Sequence, residues 1–153
     1  MSLDNLDIKI LQLIQENAQL TIKEISQKIN LSMTPTHDRI KRLEHEGIIE
    51  KYVTILNRKL LGNPLLVYCS ITLDKQQKNH FVEFEEAIKQ FPEVIECSIV
   101  SGNYDYLIKV IAKDMEAYND FYQKKLSSLQ SVAHISSSFV MSEVKNTTVI
   151  PLY

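Results

Sequence analysis

The sequence predicts an α+β chain: three helices, then a strand–helix–strand–strand–helix–strand series. Three observations predict it. Apolar residues recur at helical spacing three times before Gly47. They alternate in four segments after Pro64, and turn residues separate the two regimes. A chain of 153 residues is long enough to bury one core or two small ones.

The first helix is expected from Asp4 to about Asn17, with Leu6, Ile10, Leu13 and Ile14 on one stripe. Asp4 caps it, and Asp7 adds negative charge where the helix dipole favours it. Thr21 and Glu24 are spaced as a capping box, opening a helix that buries Ile22, Ile25 and Ile29. Asn30-Leu31-Ser32 breaks that helix, and a third follows from Met33 to about Glu46. Pro35 sits harmlessly in its first turn, Ile40 and Leu43 point inward, and Gly47 stops it. Ile48-Ile49 and Tyr52 to Ile55 read as a short extended pair or wing. Asn57 to Pro64 reads as a linker with a short turn.

The second part begins with a strand over 65–73. A helix near 78–91 turns Phe81, Phe84, Ile88 and Phe91 inward, and Pro92 ends it. Strands over 94–100 and 106–112 flank a turn at Gly102. Asp114 caps a helix carrying Tyr118, Phe121, Tyr122, Leu126 and Leu129, and a last strand runs from Val132 to Val144. This βαββαβ order is the split-βαβ, ferredoxin-like arrangement, with both helices on one side of the sheet. In the first strand Leu65, Val67, Cys69, Ile71 and Leu73 face the helices, while Leu66, Tyr68, Ser70 and Thr72 face away. The third strand is apolar on both faces, so the open face is expected to pack against its copy in a two-fold dimer.

Composition excludes several classes of function. Apolar runs such as Leu65 to Cys69 are too short to span a bilayer, and the acidic, helix-like N-terminus is unlike a secretory signal. Cys69 and Cys97 lack metal-ligand spacing and read as reduced, buried thiols of a cytosolic protein; the histidines show no metal spacing either. No nucleophile–base pair, glycine-rich phosphate loop or catalytic carboxylate cluster is visible, so neither an enzyme nor a cofactor is expected.

Net charge is −2, and residues 1–56 carry 7 Lys/Arg against 8 Asp/Glu. Any contact with DNA must therefore come from a local cluster rather than from the field of the whole domain. The second and third helices, joined by a short turn, are spaced as a helix-turn-helix. Ser32, Thr34, Thr36 and His37 lie at the leading end of the third helix, suited to base edges or phosphates. Arg39, Lys41 and Arg42 follow within a turn, suited to phosphate oxygens, and Lys23 and Lys28 can touch the flanking backbone. The plainer reading is a small helical bundle with a solvated basic face.

The turn at Gly102, with Asn103, Tyr104 and Asp105, exposes backbone N–H groups that can form a nest for a carboxylate. On the residues alone the plainer reading is a tight hairpin that needs glycine for its backbone angles. Ser136 and Ser138 alternate on the last strand and either line the same cleft or are structural.

Particular segments resemble the Lrp/AsnC, or feast/famine, regulators. They are Leu3-Asp4 with Asp7 and Ile10-Leu11; Leu31 to Pro35; Arg39 to Glu44; and Gly47-Ile48-Ile49. Ser101 to Leu107, Asp114-Met115 with Tyr118, and Phe139 to Met141 with Glu143 to Lys145 extend the likeness over nearly the whole chain, in order. The resemblance implies a winged helix-turn-helix over 1–56, a linker over 57–64, and a ferredoxin-like "regulation of amino-acid metabolism" (RAM) domain over 65–153. It implies a cytoplasmic, nucleoid-associated transcriptional regulator that binds double-stranded DNA. An amino acid or related small molecule would bind between dimers near the Gly102 turn, which favours the nest there over the plain hairpin, and dimers would assemble into octamers. An architectural protein that wraps DNA is compatible with the same resemblance. The sequence departs from the family at Met33, where proline is frequent, and at Asn103, where aspartate is. Thr36 and His37 occupy positions that vary with operator preference, so neither operator nor ligand is inherited from a relative.

Overall fold

The computed structural model describes residues 3–74 and 78–152; Met1 and Ser2, read above as part of the acidic lead-in, lie outside them. The chain forms two compact units. One is the N-terminal segment to Ile55 together with the segment from Lys145 onward, and the other is Leu56–Val144. By its contacts the tail groups with the first unit.

The first unit is three helices, α1 (Asn5–Glu16), α2 (Ile22–Ile29) and α3 (Met33–His45). Both leading caps are reciprocal capping boxes. The Asp4 carboxylate accepts the N–H groups of Leu6 and Asp7 while Asp7 accepts from the Asp4 N–H, and Thr21 and Glu24 repeat the arrangement. Ile10, Leu11, Ile25, Ile29, Ile40 and Leu43 form the core. Asn30 ends α2 in the left-handed conformation (φ 55°), and the Leu31 N–H reaches back to the Ser26 carbonyl at 3.0 Å. That closes a tight turn into α3. Gly47 (φ 73°) ends α3, with the Ile48 and Ile49 N–H groups both on the Leu43 carbonyl. The expected wing is absent as a strand pair. Residues 50–57 have no regular structure, and Tyr52, Val53 and Ile55 are exposed. Extended backbone becomes a sheet only beside a partner strand, and no described residue of this chain pairs with the segment.

In the second unit a 3-10 turn, Arg58–Leu61, lies in the segment read as a linker. It is followed by β1 (Leu65–Leu73), α4 (Lys78–Lys89), β2 (Val94–Ile99), β3 (Tyr106–Ala112), α5 (Met115–Phe121) and β4 (Val132–Phe139). The α5 helix runs into a π-turn, Tyr122–Leu126, which delivers Leu126 to the core. All pairings are antiparallel in the order β2-β3-β1-β4, the ferredoxin-like sheet. Val67, Cys69, Ile71 and Leu73 meet Phe84, Ile88, Tyr118 and Phe121 of the helices, with Tyr106, Ile108 and Val110 from β3 beside them. The Tyr106 and Phe84 rings lie 4.6 Å apart.

The last strand stops short of the expected Val144. Its final ladder bond is Val140 N–H to the Leu66 carbonyl, and Pro64 ends what β1 can offer as a donor. Cys97 is exposed, contrary to the expectation that both thiols are buried; Cys69 is buried. Among the described residues no helix is long and apolar enough to cross a membrane.

Candidate nucleic-acid interface and ligand site

The orientation of α3 follows from its inward stripe. Helix residues advance by about 100° each, so Thr36, Ile40 and Leu43 share one face. All three are buried. Thr36 is fully buried, and its hydroxyl donates to the Ser32 carbonyl at 2.9 Å. It is therefore a core residue and not a base-facing one, correcting the sequence expectation.

Arg39 lies about 60° round the helix from the inward face, on the side toward α1. Its guanidinium donates to Asp4 Oδ2 at 2.6 Å and to Asp7 Oδ1 at 2.7 Å. Arg42 donates to Asp7 Oδ2 at 2.6 Å. Asp7 is only 1% exposed, so one buried carboxylate joins two arginines of α3 to the first turn of α1. The bonds from Arg39 to Asp4 and Asp7 raise the arginine's already high pKa. The Asp7 N–H, and then Arg39, hold the Asp4 carboxyl below its ordinary value. Both arginines, read from the sequence as phosphate ligands, serve in the free protein to anchor α3. Arg42 keeps nearly half of its side chain in solvent.

The opposite face of α3 is exposed. Thr34 and Lys41 lie on it with Asp38 and His45, which the sequence reading had passed over, while His37 is exposed on its flank and Ser32 and Met33 are exposed at the leading end of the helix. A helical wheel centred on Ile40 would have shown Asp38 and His45, since residues 34, 38, 41 and 45 lie opposite Thr36, Ile40 and Leu43. The Ser32 side chain makes no capping bond, although Ser32 occupies the cap position of α3. Lys41 pairs with Glu44 at 2.8 Å, and Tyr52 donates to the same carboxylate at 2.9 Å. Lys41, then Tyr52, holds Glu44 below its usual value. Burial, then the Glu44 carboxylate, pushes the Tyr52 hydroxyl up to about 12. The His37 ring nitrogen is 3.5 Å from Asp38, a weak pair. These are surface interactions that a phosphate can replace at small cost.

In the second unit the β2–β3 hairpin carries the predicted turn. Gly102 has φ 143°, a region that side chains rarely occupy. Gly102 and Asn103 are exposed, Tyr104 and Asp105 half-buried. The Asp105 carboxylate accepts the Leu73 N–H at 2.8 Å while its own N–H donates to the Ile71 carbonyl, so it clamps the hairpin to the end of β1. Ser136 and Ser138 lie opposite Ser70 and Tyr68, on the open face of the sheet. Strand β1 stands between them and β3, so one chain does not gather these serines and the hairpin into one cleft. Ser137, between them, faces the helices and accepts from Tyr118 at 2.5 Å.

A cleft of about 580 Å³ opens at the foot of the hairpin, lined by Glu85, Ile88 and Lys89 of α4, Cys97 and Ile99 of β2, and Tyr106. The Tyr106 hydroxyl donates to Glu85 at 2.7 Å; burial, then that carboxylate, pushes it well above its usual value. The sequence reading did not bring these residues together, because α4 and β2 become neighbours only when the sheet is built.

The whole arrangement has known counterparts. Residues 3–50 match the winged helix-turn-helix DNA-binding family model, and residues 66–150 match the Lrp/AsnC ligand binding domain. The chain is 41% identical over 151 residues to the leucine-responsive regulatory protein of Haemophilus influenzae, covering 99% of this chain and 91% of that protein. It is 35% identical over 150 residues to the Bkd operon transcriptional regulator of Pseudomonas aeruginosa, covering 98% of each. A transcriptional regulator of Neisseria meningitidis, solved as an L-Met complex, superposes with a TM-score of 0.93. It is 35% identical, over 98% of this chain and 97% of that one. An AsnC family regulator from Agrobacterium tumefaciens gives a TM-score of 0.91 at 34% identity, over 97% of each chain. A chain that carries both halves in this order, over almost the full length of these relatives, belongs to the Lrp/AsnC family of transcriptional regulators, which are not enzymes.

Proposed function

We propose that the protein binds specific double-stranded DNA sites through the exposed face of α3, and that an amino acid modulates this binding or the assembly that carries it. The observation that carries the reading is the division of α3 into two faces. One is locked inward by Thr36, Ile40, Leu43 and the Asp7 ion pairs, and the other presents Thr34, His37 and Lys41 to solvent, with Ser32 exposed at the leading end. Ser32 and Thr34 donate to base edges or phosphates, His37 to a base edge, and Lys41 to a phosphate. Arg42 turns its exposed part to the backbone, and Arg39 acts through the placement of α3. The near-neutral charge favours site-specific recognition over extensive wrapping. The protein works in the cytoplasm, at the nucleoid.

The effector reading rests on the ligand-binding family model and on the L-Met complex of the Neisseria relative. The hairpin Gly102, Asn103, Tyr104 and Asp105 of one copy meets Ser136 and Ser138 of another, since a single chain keeps the two sets apart. The open face, with Tyr68, Leu107 and Ile111 half-buried, pairs two copies, and dimers assemble further into an octamer.

The test begins with a duplex selected from a random pool by the wild-type protein, with affinity read by fluorescence anisotropy. His37→Ala and Lys41→Ala each weaken binding by about 1–3 kcal/mol, and Lys41→Ala also lowers the salt dependence. Affinities unchanged in both variants would remove α3 from the interface. A thermal-shift screen over the amino acids identifies the effector as the one that raises the melting temperature.

A further inference from the structure

The first unit is completed by the end of the chain. The described residues from Lys145 onward have no regular secondary structure, and most of them are exposed, yet Gln15 and the helical core both hold them. The Gln15 carboxamide makes a paired bond with the backbone of Ile150: Oε1 accepts the Ile150 N–H at 2.9 Å, and Nε2 donates to its carbonyl at 3.3 Å. A side chain thus supplies both halves of what a neighbouring strand would offer. Two residues on, Leu152 packs against the core of the helical unit. Upstream, the Thr147 hydroxyl accepts the Val149 N–H at 3.1 Å and turns the segment.

Gln15 lies in the last turn of α1, and the first turn of the same helix holds Arg39 and Arg42 through Asp4 and Asp7. The chain leaves the first unit after Ile55 and re-enters it at Lys145, so the whole ligand-binding unit lies between two covalent attachments to the helical one. We propose that residues 145–152 are a strap that docks on α1 and relays the state of the ligand-binding unit through α1 to α3. The strap commits little apolar surface, since Val149 and Ile150 are exposed, so it can be released and redocked. Only its consequence for α3 rests on the DNA-binding reading.

The experiment uses the full chain, a truncation after Thr148, and Gln15→Leu, which can make neither bond to Ile150. Hydrogen exchange is followed in α1, with and without L-methionine as the probe, and affinity is measured for the selected duplex. In both variants protection over residues 11–16 falls several-fold, and DNA affinity falls three- to tenfold although no residue of the exposed α3 face is changed. L-methionine alters α1 exchange in the wild type and not in the truncation. Protection equal to wild type in both variants overturns the strap. Lost protection with unchanged DNA affinity, or an α1 that responds to L-methionine equally with and without the tail, overturns the relay. A wild type that binds no duplex would sink the DNA reading, and exchange in α1 would still decide docking.

Discussion

Asp7 shows how a single residue decides what its neighbours do. A carboxylate with 1% exposure needs partners, and Arg39 and Arg42 supply them. Asp7→Asn leaves two guanidinium groups facing a neutral amide. Removing one partner of a fully buried pair costs about 3–5 kcal/mol; because Arg42 reaches solvent, the expected loss here is about 2–3 kcal/mol in urea denaturation. Arg39→Ala should lower stability together with DNA binding, whereas Lys41→Ala should lower binding alone. The pH dependence has a definite sign. Asp4 is held below its ordinary value by the Asp7 N–H and by Arg39. Its contribution is complete above about pH 4 and is lost as pH falls through the lowered value. Circular dichroism should show the helical unit weakening in that acid limb, and Asp4→Asn should flatten the limb; superimposable acid titrations would refute the assignment. The sequence showed Asp7 as a helix-dipole residue and Arg39 as a phosphate ligand. Their partnership was hidden because residues 32 positions apart meet only when α1 and α3 cross.

Among the elements, helix starts and the bounds of β1 and β3 were legible, and the end of the last strand and the wing were not. Asp4, Thr21 and Asp114 cap helices within three residues of themselves, so local chemistry suffices to place them. A strand has no such autonomy: β4 stops at Phe139 because β1 has nothing more to pair with, and residues 50–57 remain irregular for want of a neighbour. The hairpin at Gly102 lies between these cases. Its glycine was read as a turn, and the positive φ of 143° explains the need, since a Cβ there would meet nothing within 4 Å. Gly102→Ala should therefore act through backbone strain alone, costing about 1–3 kcal/mol in thermal unfolding of the ligand-binding unit. A melting temperature equal to wild type would show that the hairpin tolerates a side chain.

Taken whole, the molecule is organised by faces that need partners. The sheet buries one side under α4 and α5, and leaves Tyr68, Leu107 and Ile111 half-buried on the other, with the Lys109 ammonium 5.8 Å above the Tyr68 ring. Light scattering should report a multiple of the monomer mass, falling toward the monomer in Leu107→Asp with Ile111→Asp. A wild type that stays monomeric at micromolar concentration would refute the face-to-face dimer.

Periodicity, caps and glycine positions by themselves determined the element order, the helix-turn-helix and the ferredoxin-like series, and the resemblance of whole segments supplied the family, because each is written in residues close together along the chain. Which face of α3 is free, which serines are kept apart from the hairpin, and that the C-terminal tail completes the helical unit were decided only by tertiary structure. Each depends on groups far apart in sequence whose meeting is set by packing, and no local pattern encodes such a meeting.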